Sequence, residues 1–382
     1  MMEKRDIRIG LLGFGFMGKT HTFAVRNLPF YCGELPFRAS IHGVATRTLA
    51  KSETVAAEFG IPLFTDHEDD LIYSPEIDVI DICTPNVLHT DTVRRALAAG
   101  KHILCEKPLA DTLANAEEMA TLAAKSNRIC TVVFNNRHLS AVRRAKQLIE
   151  EGRIGRILSF DFRYLHNSCT DPEKKAGWKQ MAEVCGKGGV LFDLGSHIID
   201  LAVYLCGGFR KVTGKSQIAF PTHIGPDGKP WQTDASEAFY ILAETASGAH
   251  GTLTASKLAT GTNDDLSFAI YGTKGSLRFS LMDPNYLEFY DNTAPHAPYG
   301  GLGGFTRIEC VGRYPAPAGS FPSPKAAQGW IRGHVMGMYS FLQSVYTGVQ
   351  EGPTFAEGAY VQRIMEAALA SAADGSERSV NE

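Results

Sequence analysis

The stretch Ile7-Arg8-Ile9-Gly10-Leu11-Leu12-Gly13-Phe14-Gly15-Phe16-Met17-Gly18 decides the fold of this chain. It is a short apolar run of strand length, followed by G-x-G-x-x-G and by residues 19–27, which can form a helix up to Pro29. A strand, a glycine turn and a helix form the context that a dinucleotide fingerprint requires. The first glycine permits the tight turn, the second lets the backbone approach a pyrophosphate, and the third lets the helix pack close to the strand. The stretch therefore predicts a nucleotide site at a helix N-terminus.

The first third of the chain alternates short apolar runs with helical patterns. The predicted strands after the first are 39–45, 62–64, 78–83, 102–105 and 129–134, and the predicted helices are 49–59, 90–99 and 113–126. The segment 28–37 lengthens the usual connection to the second strand. Strands that alternate with helices predict a doubly wound parallel sheet, the Rossmann arrangement, with ligands at the carboxyl ends of the strands.

The alternation of strands and helices ends after about residue 135. Helices are predicted over 141–150 and 190–205, and strands over 156–165, 212–219, 238–243, 251–256, 266–271, 276–279 and 287–290. Consecutive strands without helices between them predict a large, mostly antiparallel open sheet. The Gly/Pro-rich segment 293–328 is predicted to be a surface loop, followed by helices over 332–346 and 355–373 and a frayed end. We thus expect an α/β protein with a nucleotide domain at 1–135 and a substrate and oligomerisation domain at 136–382, whose last helices pack back on the first domain.

Composition excludes several classes of function. The 382 residues carry a net charge of −3, with 44% hydrophobic and 21% charged residues, as in ordinary globular proteins. This balance favours neither nucleic acid nor an anionic membrane as a partner. We find neither a signal-peptide pattern nor an apolar run of membrane-spanning length. The eight scattered cysteines, without C-x-x-C, indicate a reducing cytoplasm and no disulfide or zinc framework.

Polar segments follow two of the buried strands. Thr84-Pro85-Asn86-Val87-Leu88-His89 comes after one strand, and Glu106-Lys107-Pro108 comes after the next. Both segments are expected at the same rim of the sheet as the glycine turn. Lys107, held by the following proline, can hydrogen-bond a substrate hydroxyl there, or it can be an ordinary turn lysine. Asn86 and His89 can equally be capping and surface residues.

A second constellation lies in Gly188-Gly189-Val190-Leu191-Phe192-Asp193-Leu194-Gly195-Ser196-His197. Asp193 and His197 are four residues apart and share one face of a helix. A carboxylate and an imidazole so placed suit a hydroxyl-deprotonating base with its orienting partner, or two ligands of a metal. They also suit a helix-start carboxylate beside an incidental histidine.

Taken in order, the glycine turn, TPNVLH, AGKHILCEKPL, FNNR and GGVLFDLGSHIIDL resemble the Gfo/Idh/MocA oxidoreductases over about the first 210 residues. The resemblance implies an NAD(P)-dependent enzyme that moves hydride between nicotinamide C4 and a hydroxyl-bearing carbon of a sugar or polyol lying between the nicotinamide and the second domain. It assigns Lys107, Asp193 and His197 to catalysis, with His197 as the base and without a metal. Two alternatives stay open: a glycoside 3-oxidising enzyme that recycles tightly bound NAD, and a nucleotide-sensing regulatory protein.

The resemblance and the strand-end argument together give two sets of site residues. Cofactor-binding candidates are Gly13, Phe14, Gly15, Phe16, Met17, Gly18, Thr46, Arg47, Thr84, Pro85, Asn86, His89, Glu106, Lys107 and Asn135. Substrate-binding candidates are Lys107, Arg163, His166, Asn167, Trp178, Asp193 and His197.

The rim after the second strand bears on the choice of nucleotide. NAD-selective folds usually place a carboxylate there, but this chain has Thr46 followed by Arg47. Threonine does not repel a 2′-phosphate, and arginine can pair with it or stack on adenine. The sequence therefore leans slightly to NADP, with tightly bound NAD as the rival.

We also expect a homodimer or homotetramer. It would be joined through the open face of the second domain's sheet, of which Phe268, Ile270 and Leu277 are typical apolar residues.

Overall fold

The computed structural model describes residues 4–175, 177, 181–182, 187–225 and 227–381. It divides into two compact units. The first unit comprises residues 1–138, 313–326 and 331–360, and the second comprises residues 139–312, 327–330 and 361–382. In the part of the chain described, no helix combines the length and apolar character that a membrane crossing requires.

The first unit contains a six-stranded parallel sheet. Its strands are β1 (Arg5–Leu12), β2 (Phe37–Ala45), β3 (Leu63–Thr65), β4 (Val79–Ile82), β5 (His102–Cys105) and β6 (Cys130–Val132). Their spatial order is β3-β2-β1-β4-β5-β6, so the order of connection reverses between β1 and β4. The doubly wound sheet predicted from the alternating pattern is confirmed, and β1 with its glycine turn lies beside the switch point where such sheets bind ligands.

The helices of this part of the chain are α1 (Phe16–Tyr31), α2 (Leu49–Phe59), α3 (Glu68–Ile72), α4 (His89–Ala98) and α5 (Leu113–Lys125). The prediction that α1 stops before Pro29 is wrong, because the proline lies in its last turn. Only a short stretch of helix follows the proline, and the Cys32 N–H closes it on Leu28 O at 2.8 Å. A proline so near a helix end removes one donor without breaking the turns before it.

The second unit is built on a nine-stranded sheet. Its strands are β7 (Ile157–Leu165), β8 (Phe209–Gln217), β11 (Ala238–Thr245), β12 (His250–Ser256), β13 (Asp265–Gly272), β14 (Gly275–Ser280), β15 (Tyr286–Asp291), β16 (Phe305–Glu309) and β17 (Arg378–Ser379), while β9 (Thr222–Ile224) and β10 (Pro230–Gln232) form a separate pair. The order is β16-β15-β14-β13-β7-β12-β11-β8-β17. The β7–β12 pair is parallel and the other described pairs of this sheet are antiparallel, which confirms the predicted large, mostly antiparallel sheet.

Helices α6 (Ser140–Glu150) and α7 (Ser196–Cys206) belong to this unit, and α8 (Trp330–Thr347) and α9 (Phe355–Asp374) complete the chain. Two predictions about irregular segments are wrong. The supposed loop 293–328 contains β16, which pairs with β15, and the supposedly frayed end contains β17, which pairs with β8. Both strands are short and lie at sheet edges, where the partner strand supplies the ladder and the sequence pattern is weak.

The two faces of this sheet differ from the expectation. Phe268, Ile270 and Leu277 are buried, on the face where α6 packs on β14 and β15 and α7 packs on β7 and β12. The prediction that these three residues form the uncovered face is therefore wrong. Alternation identifies an apolar face, but helices of the same chain cover it. The opposite face carries exposed Tyr240 and Leu242.

Candidate functional site

The three fingerprint glycines have the geometry that a dinucleotide site requires. Gly13 has φ +91°, and a Cβ there would lie 2.7 Å from Cys83 O. A Cβ on Gly15 would meet nothing within 4 Å, so its backbone faces open space. A Cβ on Gly18 would lie 2.3 Å from Gly13 O, so only glycine lets α1 pack this closely on the turn. These are the turn, approach and packing roles of the fingerprint, and the residues present fit a dinucleotide.

The segment that follows β4 at the carboxyl edge of the sheet is held in place by contacts with His89. This buried ring places Nε2 3.0 Å from Thr84 O and Nδ1 3.1 Å from Leu109 O. Burial lowers the pKa of His89, although the carbonyl contacts oppose that effect. The histidine therefore ties the Thr84-Pro85-Asn86 segment to the segment after Lys107, and Asn86 is buried in the same rim.

Lys107 directly follows the buried Glu106 at the carboxyl end of β5. The Lys107 N–H donates to Glu106 Oε2 at 3.1 Å, and the Glu106 N–H donates to Ile82 O at 3.0 Å. The Lys107 backbone is thus fixed to the sheet through its neighbour's carboxylate. Asn135 is also buried in this unit, and its amide donates to Asn136 Oδ1 at 3.3 Å.

At the end of β2, Thr46 and Arg47 differ in exposure. The Thr46 hydroxyl contacts Thr48 O at 3.1 Å and Ser52 Oγ at 2.9 Å, so it is engaged within its own loop. Arg47 is exposed. Of the two, only the arginine presents a side chain at the surface of this rim.

In the second unit, Asp193 lies in a π-helical turn over Leu191–Gly195 that leads into α7. Such turns are rare in proteins overall, and those that occur are often located at functional sites. The Asp193 carboxylate forms an ion pair with Lys257 Nζ at 3.0 Å, and the two side chains are 13% and 6% exposed. Sequence reasoning missed Lys257. Its signal resembled that of Lys107, a lysine close after the end of a strand, since Lys257 directly follows β12.

His197, at the start of α7, is also buried and packs against the edge of Tyr164, with ring centroids 5.6 Å apart. Asp264 Oδ1 accepts from Tyr164 Oη at 2.8 Å and lies 2.8 Å from His166 Nε2. The His166 contact, followed by that of Tyr164, outweighs burial and lowers the pKa of Asp264, while burial raises the pKa of Tyr164. Sequence reasoning named His166 but not Tyr164 or Asp264, because neither belongs to a local motif.

The other predicted substrate residues are placed differently. Arg163 lies on the opposite face of β7 from Tyr164 and pairs with Asp161 at 2.6 Å, so the structure does not bring it to His197. Asn167 is exposed just beyond the strand, where its carbonyl accepts from Thr170. Trp178 lies outside the described residues.

Comparison with protein-family models matches both parts of the chain. The model described as "Oxidoreductase family, NAD-binding Rossmann fold" matches residues 7–134. The model described as "GFO/IDH/MocA C-terminal domain" matches residues 142–278.

Curated relatives and solved structures agree with these matches. Levoglucosan dehydrogenase of Pseudarthrobacter phenanthrenivorans is 32% identical over 97% of both chains. A solved structure described as levoglucosan dehydrogenase in complex with NADH and levoglucosan has a TM-score of 0.93 at 31% identity, covering 99% of this chain and 100% of the other. Inositol 2-dehydrogenase of Rhizobium meliloti is 27% identical, covering 74% of this chain and 78% of its own.

Proposed function

Because the chain belongs to the Gfo/Idh/MocA family of oxidoreductases, we propose that it oxidises one secondary hydroxyl of a sugar or polyol to a ketone, reversibly and with a nicotinamide cofactor. The resemblance predicted from the motifs is confirmed. The observation that carries the proposal is the glycine turn that fits a dinucleotide, in a chain that also retains Lys107, Asp193 and His197. A regulatory protein on this fold would need neither the lysine nor the histidine, so we favour an enzyme.

The chain's own residues handle the proton and the charge. His197 takes the proton of the substrate hydroxyl. A nicotinamide dinucleotide held at the glycine turn of Gly13, Gly15 and Gly18 would supply the hydride acceptor for the carbon that bears this hydroxyl. Lys107 donates a hydrogen bond to the reacting oxygen and stabilises the negative charge that develops there. Asp193, held by Lys257, orients the substrate or His197.

We propose sugars related to levoglucosan as the first substrates to test, because a curated relative and a solved structure of that name match nearly the whole chain. The test is a panel of levoglucosan, hexoses, glucose 6-phosphate and inositols, with the reduced cofactor followed by absorbance. Turnover of any member supports the proposal. No turnover across the panel, combined with nucleotide binding, would contradict it. Ketone formation without net reduced cofactor would instead favour the glycoside-oxidising alternative with recycled NAD.

We propose NAD as the preferred nucleotide. The sequence predicts a slight preference for NADP, and the exposed Arg47 can still pair with a 2′-phosphate. Two observations favour NAD instead. Similar solved structures are described as NADH complexes, and the Thr46 hydroxyl is engaged with Thr48 and Ser52. Titration of both nucleotides against the wild type and Thr46→Asp decides the matter. Tighter NADP binding by the wild type would restore the original prediction, and an unchanged ratio in the variant would show that Thr46 does not face the ribose.

We propose that the assembly is a dimer or tetramer joined through the exposed face of the nine-stranded sheet. Tyr240 and Leu242 are 42% and 55% exposed there, and self-association would bury them. Light scattering should give a multiple of the monomer mass, and Leu242→Asp should lower it. A monomer mass for the wild type at micromolar concentration would reject the proposal.

A further inference from the structure

His21 is a polar ring in the buried face of α1. It lies three residues after Gly18 and four before Val25, both of which are buried, and its own side chain is 2% exposed. A histidine in such a stripe must satisfy two ring nitrogens away from water. Neither the cofactor site nor the proposed chemistry uses it directly.

Both ring nitrogens of His21 face carboxylates. Nδ1 lies 2.9 Å and 3.0 Å from the two carboxylate oxygens of Asp81, and Nε2 lies 3.2 Å from Glu106 Oε1. A neutral imidazole would direct a lone pair at one of these negative oxygens, whereas an imidazolium directs an N–H toward each. The Nε2–Oε1 contact is an ion pair between the ring and the Glu106 carboxylate.

We propose that His21 is a buried, doubly protonated positioning residue that holds the Glu106 carboxylate and, through it, the backbone of Lys107. The second part rests on the proposed catalytic role of Lys107. Glu106 reaches both groups, because Oε1 faces the imidazolium and Oε2 accepts the Lys107 N–H at 3.1 Å. Without the positive ring, the two buried carboxylates would lose the positive charge that contacts both of them, so keeping their negative charges buried would cost more free energy.

The other groups around His21 leave this charge pattern intact. The Cys83 thiol lies 3.3 Å from Nδ1, and burial raises its pKa to about 12, so it stays neutral. The His334 ring lies 6.3 Å away by centroids, and burial lowers its pKa to about 3, so it is neutral too. Burial alone would lower the pKa of His21, but the charge of Asp81 and its hydrogen bond raise it well above the ordinary value. Burial likewise opposes ionisation of Glu106, but His21, and then Lys107, lower its pKa.

A metal ion is the other occupant this cluster could take. One donor atom from each of His21, Asp81 and Cys83 lies within 4.8 Å of the other two. The geometry favours the proton, because Nδ1 already lies at hydrogen-bond distance from both Asp81 oxygens. The metal is therefore an outcome of the test.

The first experiment reads protonation directly by nitrogen NMR of the full chain with labelled histidine. His21→Gln identifies the His21 signals. We expect both His21 nitrogens to remain protonated from about pH 6 to 8.5, where an unperturbed imidazole loses its proton. A neutral ring within that range would overturn the proposal. A signal that changes on adding zinc, or on removing metal with a chelator, would overturn it in favour of the metal.

The second experiment uses Asp81→Asn, which keeps the shape and removes the charge. The His21 pKa should fall, so turnover of the variant should be retained at low pH and lost as pH rises through that value, by about tenfold per pH unit. The wild type should show no such loss of turnover at high pH. His42→Gln, at a partly exposed histidine on β2, should match the wild type. A variant profile parallel to the wild type would reduce His21 to a structural role and overturn the positioning claim. If the wild type oxidises no sugar, the proposed function fails, while the NMR result still decides the protonation.

Discussion

Lys257→Met tests whether the buried ion pair in the second unit holds Asp193. The pair is 3.0 Å long, and its side chains are 6% and 13% exposed, so the solvent screens it little. Removing one partner of a buried pair costs about 3–5 kcal/mol, because the other charge stays buried after the opposite charge beside it is gone. The main chain should be unaffected, since the Lys257 N–H donates to Glu237 O at 2.8 Å and its carbonyl accepts from the Cys169 N–H at 2.9 Å.

Urea unfolding measures this cost, and steady-state kinetics measure its effect on the site. We expect Lys257→Met to lower the free energy of unfolding by about 3 kcal/mol and to reduce turnover by about 100-fold, the lower end of what proton-transfer groups contribute. Lys211→Met is the matched control. Lys211 pairs with Glu377 on the surface, with side chains 41% and 54% exposed, and such pairs contribute about 1 kcal/mol or less.

The double variant Lys257→Met/Asp193→Asn completes the cycle. Removing both charges should restore at least about 1 kcal/mol of the stability lost in Lys257→Met, because the buried negative charge is then gone as well, whereas turnover should stay low. The reasoning is refuted if Lys257→Met destabilises no more than Lys211→Met, or if its turnover is near normal.

Three further outcomes are expected. Lys107→Ala and His197→Ala should each reduce turnover by about 10²–10⁴-fold while nucleotide binding measured by calorimetry persists, and near-normal turnover in both would end the catalytic assignment. Gly15→Val should fold, because the space beyond its Cα is open, but should bind nucleotide at least about tenfold more weakly; unchanged binding would remove the fingerprint role. Because the pKa of Asp264 is lowered in the folded protein, its contribution to stability is present above the unfolded value of about 3.9 and is lost as pH falls through the folded value. The stability difference between the wild type and Asp264→Asn should therefore shrink as pH falls below about 4, whereas a difference that grows on acidification below that pH would contradict the sign.

The sequence predicted those parts of the fold whose signals are local. The apolar run before Gly13 and the spacing to Gly18 specify a strand, a turn and a helix with no reference to the rest of the chain. The alternating apolar runs of the second half likewise predicted its sheet. Alternation does not say which element covers the apolar face, so Phe268 and Ile270 were assigned to the wrong side.

Most of the features that the sequence did not predict depend on contacts between segments that are far apart in the chain. Strand β17 forms by pairing with β8, which lies more than 160 positions earlier in the chain, and Lys257 is 64 positions from Asp193. The π-helical turn that carries Asp193 also leaves no periodicity of its own over five residues. Motif analysis therefore proposed Lys107, Asp193 and His197 for catalysis, but it did not point to His21, which contacts Glu106, or to Lys257, which pairs with Asp193.

The charged groups that contact the proposed catalytic residues determine which substitutions can separate electrostatic effects from packing effects. In the second unit, Asp193 and Lys257 balance each other, and in the first, the carboxylates of Asp81 and Glu106 balance the His21 imidazolium and the Lys107 ammonium. An alanine at any of these positions changes shape and leaves a partner's charge uncompensated, so its effect mixes packing with electrostatics. Isosteric neutral substitutions separate the two. Glu106→Gln leaves the His21–Asp81 pair neutral as a whole and keeps an acceptor for the Lys107 N–H. It should therefore perturb turnover less than Asp81→Asn does at high pH. The reverse order would mean that Glu106 acts on the reacting groups itself rather than by holding Lys107.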